Sequence, residues 1–195
     1  KDTYSEFEKN ILNGLQLAYK VTANSIYGSI GGKVSPIRCI DIAASTTKIG
    51  QMMLQLAGEK VKEFRPQTEI VYGDTDSIFV NFHPTDSQGK PLLQLEGLKE
   101  TIRIGIDFEH YIQPFLKFPH RLEYEKTFSQ FILFGKKRYL GLKSEFDPNV
   151  AKMTAMGIVL KRRDNAKILK AVYDGVIQQF MAGNGPHAAA EYLQS

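Results

Sequence analysis

Glu69-Ile70-Val71-Tyr72-Gly73-Asp74-Thr75-Asp76-Ser77-Ile78-Phe79-Val80 is the stretch that decides how the chain is read. Two β-rich runs, 69–72 and 77–80, flank a group of turn formers, which predicts a hairpin with a tight turn. Asp74 and Asp76 are raised together on its tip, where their mutual repulsion would be costly unless a cation sat between or beside them. Oxygen ligands without His or Cys select a hard ion such as Mg²⁺ over Zn²⁺. The plainer reading is a turn that uses Asp for local backbone hydrogen bonds. A calcium loop of the EF-hand type is excluded, because Ile78 and Phe79 fall where an oxygen ligand and a glycine are required.

Outward from the hairpin, the hydrophobic period is helical on both sides. Ile11, Leu12, Leu15, Ala18, Thr22 and Ile26 recur at steps of three and four, giving a helix from Glu6 to about Tyr27. Gly28, Gly31, Gly32 and Pro36 form a loop, and a second helix runs from about Asp41 to Phe64, closed by Pro66. A third helix is predicted from about Leu92 to Leu116, against the weakening effect of Gly97 and Gly105. Residues 122–127, 130–134, 138–142 and 156–160 read as strands, and 164–180 as a fourth helix with Asp164 as N-cap. The segment 187–195 is helical in pattern. Strands clustered between helices, without regular βα alternation, predict an α+β fold with an antiparallel sheet. The loop at 145–152 is the best internal boundary.

Composition bounds the function classes. The 195 residues are 43% hydrophobic and 24% charged, a globular balance rather than a disordered one. No apolar run reaches the ~18 residues a membrane span needs, so no membrane role is expected. Cys39 is alone, which excludes an intrachain disulfide and a thiolate zinc cluster and points to an intracellular protein. With no initiator Met or leader before Lys1, and a helical pattern running to Ser195, the chain is expected to be a piece of a longer protein. Residues 1–119 hold 13 basic and 14 acidic residues, a net of −1, whereas 120–195 hold 12 and 7, a net of +5. Lys136-Lys137-Arg138 and Lys161-Arg162-Arg163 concentrate that charge, as a polyanion partner or a solvated surface would require.

Two further patterns carry chemistry. On the first helix, Asn13, Gln16, Lys20, Asn24 and Tyr27 fall on one stripe, which can place a cation and hydrogen-bonding groups along a phosphate-bearing ligand or can simply face solvent. Gly28-Ser29-Ile30-Gly31-Gly32 matches no phosphate-binding glycine pattern. In Gly135-Lys136-Lys137-Arg138-Tyr139-Leu140-Gly141, an extended backbone would put Lys137 and Tyr139 on one face and Lys136 and Arg138 on the other. Cations beside an aromatic suit nucleic-acid contacts, although a charged edge guarding a sheet has the same composition.

Together and in this order, three segments resemble signatures of family B DNA polymerases. They are Lys20-Val21-Thr22-Ala23-Asn24-Ser25-Ile26-Tyr27-Gly28, Tyr72-Gly73-Asp74-Thr75-Asp76-Ser77, and Lys136-Lys137-Arg138-Tyr139. Leu122-Glu123-Tyr124-Glu125-Lys126 and Gly157-Ile158-Val159-Leu160-Lys161-Arg162-Arg163-Asp164 support the match, and the wording of 19–27 is most like polymerases of large DNA viruses. The resemblance implies three regions: fingers at 1–32, palm at 33–150 and the start of a truncated thumb at 151–195. It implies catalytic and metal-ligating roles for Asp76, as the direct ligand, and for Asp74, as the supporting charge. Lys20, Asn24 and Tyr27 would meet the incoming dNTP, with Glu123 and Glu125 as nearby palm carboxylates. Lys136, Lys137, Arg138, Tyr139, Arg162 and Arg163 would contact primer-template DNA.

What it implies for mechanism is nucleotidyl transfer from dNTP to a primer 3′-hydroxyl, with two Mg²⁺ ions as cofactor. The work site would be intracellular, in the nucleus or a cytoplasmic replication site if viral, and a processivity factor would be bound by regions outside these residues. The family's first catalytic motif, an aspartate-bearing strand before the fingers, is missing from the sequence. The segment alone is therefore expected to be inactive. A noncatalytic nucleic-acid-binding α+β domain is the alternative. A reverse transcriptase or other palm enzyme fits less well, because there the hairpin aspartates are adjacent.

Overall fold

A computed structural model describes residues 4–158 and 166–194. The chain divides into two compact units, Lys1–Gln55 and Leu56–Ser195.

The first unit is helical. Helix α1, Glu6–Gly31, starts in a capping box: Ser5 Oγ accepts from the Glu8 N–H, and Glu8 Oε2 accepts from the Ser5 N–H at 2.8 Å. None of its residues is buried, so its amphipathic stripe does not feed a core of these residues. Helix α2, Ile40–Phe64, follows the glycine loop and passes from the first unit into the second. Within the first unit, Tyr27 Oη lies 3.0 Å from Thr47 Oγ1. Thr47 gives its one proton to the Ala43 carbonyl, so the Tyr27 hydroxyl is the donor.

The second unit is α+β, with an antiparallel arrangement throughout. Strands β1, Glu69–Asp74, and β2, Ser77–Asn81, form the predicted hairpin. Helix α3, Gln94–Ile112, continues into a short 3₁₀ turn, Gln113–Phe115. Strands β3, Thr127–Gly135, β4, Arg138–Ser144, and β5, Lys152–Met156, form a second sheet in that order. Helices α4, Lys167–Met181, and α5, Gly185–Gln194, follow.

Two cores hold this unit. Val61 and Ile112 are fully buried in the first, with Ala57, Phe82, Ile104 and Phe108, so α2 and α3 close over the hairpin's strands. In the second, Leu140 of β4 packs with Ile158, Ile177 and Met181, which seats α4 on the three-stranded sheet. Burying side chains of this size stabilises by ~1.5–3 kcal/mol each.

Four expectations are corrected. The strands make two sheets rather than one, since the hairpin meets β3–β4 through side chains and not through a ladder. Residues 122–126 have no ladder partner, and pairing begins only at Thr127, so the strands expected at 122–127 and 130–134 are replaced by the single strand β3. The strand expected at 156–160 lies earlier, at Lys152–Met156, because β4 offers its free edge to that run; residues 159–160 fall outside the described residues. The alternation expected over 135–141 is broken, because Gly135 pairs with Arg138 and Lys136–Lys137 are the two-residue turn between strands. The expected N-cap Asp164 lies outside the described residues.

Helix α3 tolerates Gly105 for a packing reason. A Cβ there would stand 2.7 Å from Cδ2 of Tyr124, so the missing side chain lets that ring lie against the helix. The Tyr124 N–H donates to Glu109 Oε2 and its hydroxyl donates to the Glu145 carbonyl, both at 2.8 Å. Burial pushes the Tyr124 phenol above its usual value. Tyr124, with Leu122 packed against the first core, anchors 122–126 without a ladder.

Candidate functional site

The tips of the β1–β2 and β3–β4 hairpins are two-residue turns, Thr75–Asp76 and Lys136–Lys137. Each contains a non-glycine residue in the left-handed region, Thr75 at φ 49° and Lys137 at φ 59°. The tips meet. Lys137 Nζ donates to Asp74 Oδ1 at 2.5 Å, and the Lys137 backbone N–H donates to Tyr72 Oη at 2.8 Å. Thr75 Oγ1 also donates to Asp74 Oδ1, at 3.0 Å, while Ser77 Oγ donates to the Asp74 carbonyl.

The electrostatics follow from that contact. The Lys137 ammonium holds the Asp74 carboxyl below the usual carboxylate range, and Asp74 in turn raises Lys137. Asp74 is the sheltered member, with its side chain 22% exposed against 66% for Lys137. Asp76 is exposed, and its carboxylate makes no hydrogen bond or ion pair with any described residue. The turn therefore separates its carboxylates into one engaged and one open.

Asp74, Asp76, Lys137 and Tyr139 border one groove of about 1070 Å³, with Glu123 and Glu125 also on its wall. Glu125 is paired with Lys126 at 2.8 Å. The floor is aromatic: the Phe79 ring lies 5.4 Å from Phe131 and from Tyr139 and is stacked on Phe128 at 5.9 Å. Tyr139 is only 5% exposed, so its ring is part of that packing.

The oxygen-only donor set fits a hard divalent ion, with Asp76 open and Asp74 beside it. Among the described residues, no third His, Cys, Asp or Glu gathers with them into a metal-holding cluster.

The remaining predicted site residues are distributed otherwise. Lys136, on the basic turn, and Arg138, the first residue of β4, are exposed and outside the groove lining. Lys20, Asn24 and Tyr27 are exposed on α1 in the first unit. Arg162 and Arg163 lie outside the described residues. Sequence reasoning passed over Tyr72 and Thr75, which hold the turn, and Gly157, which abuts the Lys137 carbonyl. Tyr72 stood inside the acidic hexapeptide, but its partner is a backbone N–H that no side-chain pattern reveals.

The whole chain, residues 1–195, matches the family model of DNA polymerase family B. It is 50% identical over 99% of its length to a DNA polymerase of Pyramimonas orientalis virus. It is 33% identical over 88% of its length to the DNA polymerase delta catalytic subunit of Candida albicans, and 31% identical over 88% to a DNA polymerase of Paramecium bursaria Chlorella virus NY2A. An α+β unit carrying an acidic hairpin beside a basic one, within such a match, defines the class: the chain belongs to DNA polymerase family B. It spans 16–18% of the length of these relatives. No helix among the described residues is long and apolar enough to cross a membrane.

Proposed function

We propose that this chain is the palm-centred segment of a template-directed DNA polymerase that transfers a nucleotide from dNTP to a primer 3′-hydroxyl. The observation that carries the reading is the convergence of Asp74, Asp76 and Lys137 on the edge of one groove, from hairpins far apart in sequence.

In this account Asp76 holds the divalent cation directly and Asp74 supplies the neighbouring charge. Bound there, Mg²⁺ would activate the primer hydroxyl and neutralise charge developing on the leaving pyrophosphate. The chain's own residues do the rest. Lys20 meets the triphosphate as a point charge, with Asn24 and Tyr27 along the same helix stripe. Lys136 and Arg138, exposed at the basic hairpin's tip, bind DNA phosphates, with Arg162 and Arg163 in the same role. Lys137 serves at the junction of primer terminus and catalytic turn, and Tyr139 supports it from within the aromatic floor.

Residues 1–32 then correspond to fingers, 33–150 to palm and 151–195 to the start of the thumb. Two ions need carboxylates that hold them ~3.5–4 Å apart. Asp74 and Asp76 alone do not complete that set, so the segment by itself should not polymerise. The whole protein would work where viral or cellular DNA is replicated, with any processivity factor bound elsewhere in it. Primer extension by the full-length protein, compared with Asp76→Asn, tests the reading.

A further inference from the structure

Tyr72 is the residue of the hexapeptide to which neither composition nor resemblance gave a task. Its ring packs 5.3 Å from Phe79 and 6.4 Å from Tyr139, which fixes the hydroxyl in space. That hydroxyl accepts the Lys137 N–H at 2.8 Å. Lys137 sits at φ 59° in a two-residue turn, a conformation unfavourable for a non-glycine residue that persists where the surroundings over-determine it.

The opposite side of the same residue is also held. Gly157, at φ 62°, lies so close to the Lys137 carbonyl that a Cβ there would overlap its oxygen. The tip of the basic hairpin thus bonds to Tyr72 through its N–H, while the Gly157 backbone lies close against its carbonyl. From this fixed backbone the Lys137 side chain reaches Asp74 Oδ1, the oxygen that also accepts from Thr75.

We propose that Tyr72 is a positioning residue: its hydroxyl latches the Lys136–Lys137 turn so that the Lys137 ammonium occupies one oxygen of Asp74 and the acidic turn presents Asp76 as its open carboxylate. The proposal rests on the polymerase reading for its consequence, but not for the latch itself. A phenyl ring would keep the packing against Phe79 and Tyr139 and lose the hydroxyl, which accepts from Lys137 and also donates toward Asp74, so exchange at the Lys137 amide is the readout specific to the latch.

The test is made on the full-length protein that carries this segment, with and without Tyr72→Phe. Amide hydrogen exchange should accelerate at Lys137 by about tenfold, the equilibrium worth of one hydrogen bond, with the rest of β3 and β4 little changed. The rate constant for nucleotide incorporation at saturating dNTP and DNA should fall severalfold, with primer-template affinity unaltered. Unchanged exchange at Lys137 overturns the latch. Equal acceleration across β3 and β4 overturns it too, since that reports general loosening. Accelerated exchange with an unaltered rate constant overturns the positioning role. If the unsubstituted protein incorporates no nucleotide, the polymerase reading fails, and the exchange at Lys137 still decides the latch.

Discussion

Lys137 Nζ and Asp74 Oδ1 stand 2.5 Å apart although 63 positions separate the two residues in sequence. The ion pair ties the tip of the basic hairpin to the tip of the acidic one, and its pH dependence has a definite sign. Asp74 is held below its usual range, so its contribution to stability is present above the unfolded carboxylate pKa of ~3.9 and is lost as pH falls through the lower folded value. Lys137 is raised, so its contribution is present below ~10.4 and is lost as pH rises through the higher folded value. Carboxyl ¹³C titration should show Asp74 ionising at higher pH in Lys137→Met than in the unsubstituted protein. Identical titrations would mean that the ion pair is not formed in solution.

Gly105→Ala should destabilise the second unit despite the better helix propensity of alanine, which is worth ~1 kcal/mol. The new Cβ would stand 2.7 Å from the Tyr124 ring, and overpacking of that kind costs ~1–3 kcal/mol. Set against the propensity gain, the net loss is up to ~2 kcal/mol, a fall in Tm of up to ~8 °C, since ~1 kcal/mol moves a domain of 150–250 residues by ~2–4 °C. A gain in Tm would show that Tyr124 has room to move and that 122–126 is anchored by something else.

Leu140→Ala removes a fully buried side chain from the core beneath α4 and should cost ~2–5 kcal/mol in denaturant unfolding. Ser5→Ala removes half of the capping box of α1 and should cost only ~1 kcal/mol, seen as faster exchange in the first turn of that helix. Equal losses from the two substitutions would contradict the placement of the core, because α1 buries none of its residues.

These cases show what the sequence could and could not convey. The hairpin was legible because β-formers stand on both sides of a group of turn residues, but its register was not, since Gly73 and Asp74 belong to the strand and a register shift falls between Ile70 and Tyr72. The run Leu122–Thr127 alternates as a strand does, yet it is held by the hydrogen bonds of Tyr124 to Glu109 and Glu145, partners that local periodicity cannot see. Lys152–Met156 has weak strand preference and forms because β4 has an edge to offer. At the site, the acidic pair could be read from spacing alone. The latch of Tyr72 onto Lys137 could not, because it joins a hydroxyl to a backbone group across two hairpins. Tyr139 looked like a contact residue among cations, but its neighbours Phe79, Phe128 and Phe131 come from two other strands and bury it.

Charge reversal on the exposed basic turn separates affinity from chemistry. Lys136→Glu with Arg138→Glu in the full-length protein should weaken primer-template binding and reduce the salt slope by about one for each phosphate no longer neutralised. Lys20→Ala should instead change nucleotide affinity or incorporation rate at fixed DNA occupancy. Equal effects of both on DNA binding would remove the distinction between the helix stripe and the basic turn.

The most direct measurement is single-nucleotide incorporation by the full-length protein with Mg²⁺, compared between the unsubstituted protein and Asp76→Asn at saturating dNTP. The account predicts a loss of at least ~10²-fold in rate, the scale set by removing a group that stabilises transition-state charge, with primer-template affinity unchanged. Normal turnover by Asp76→Asn would contradict it.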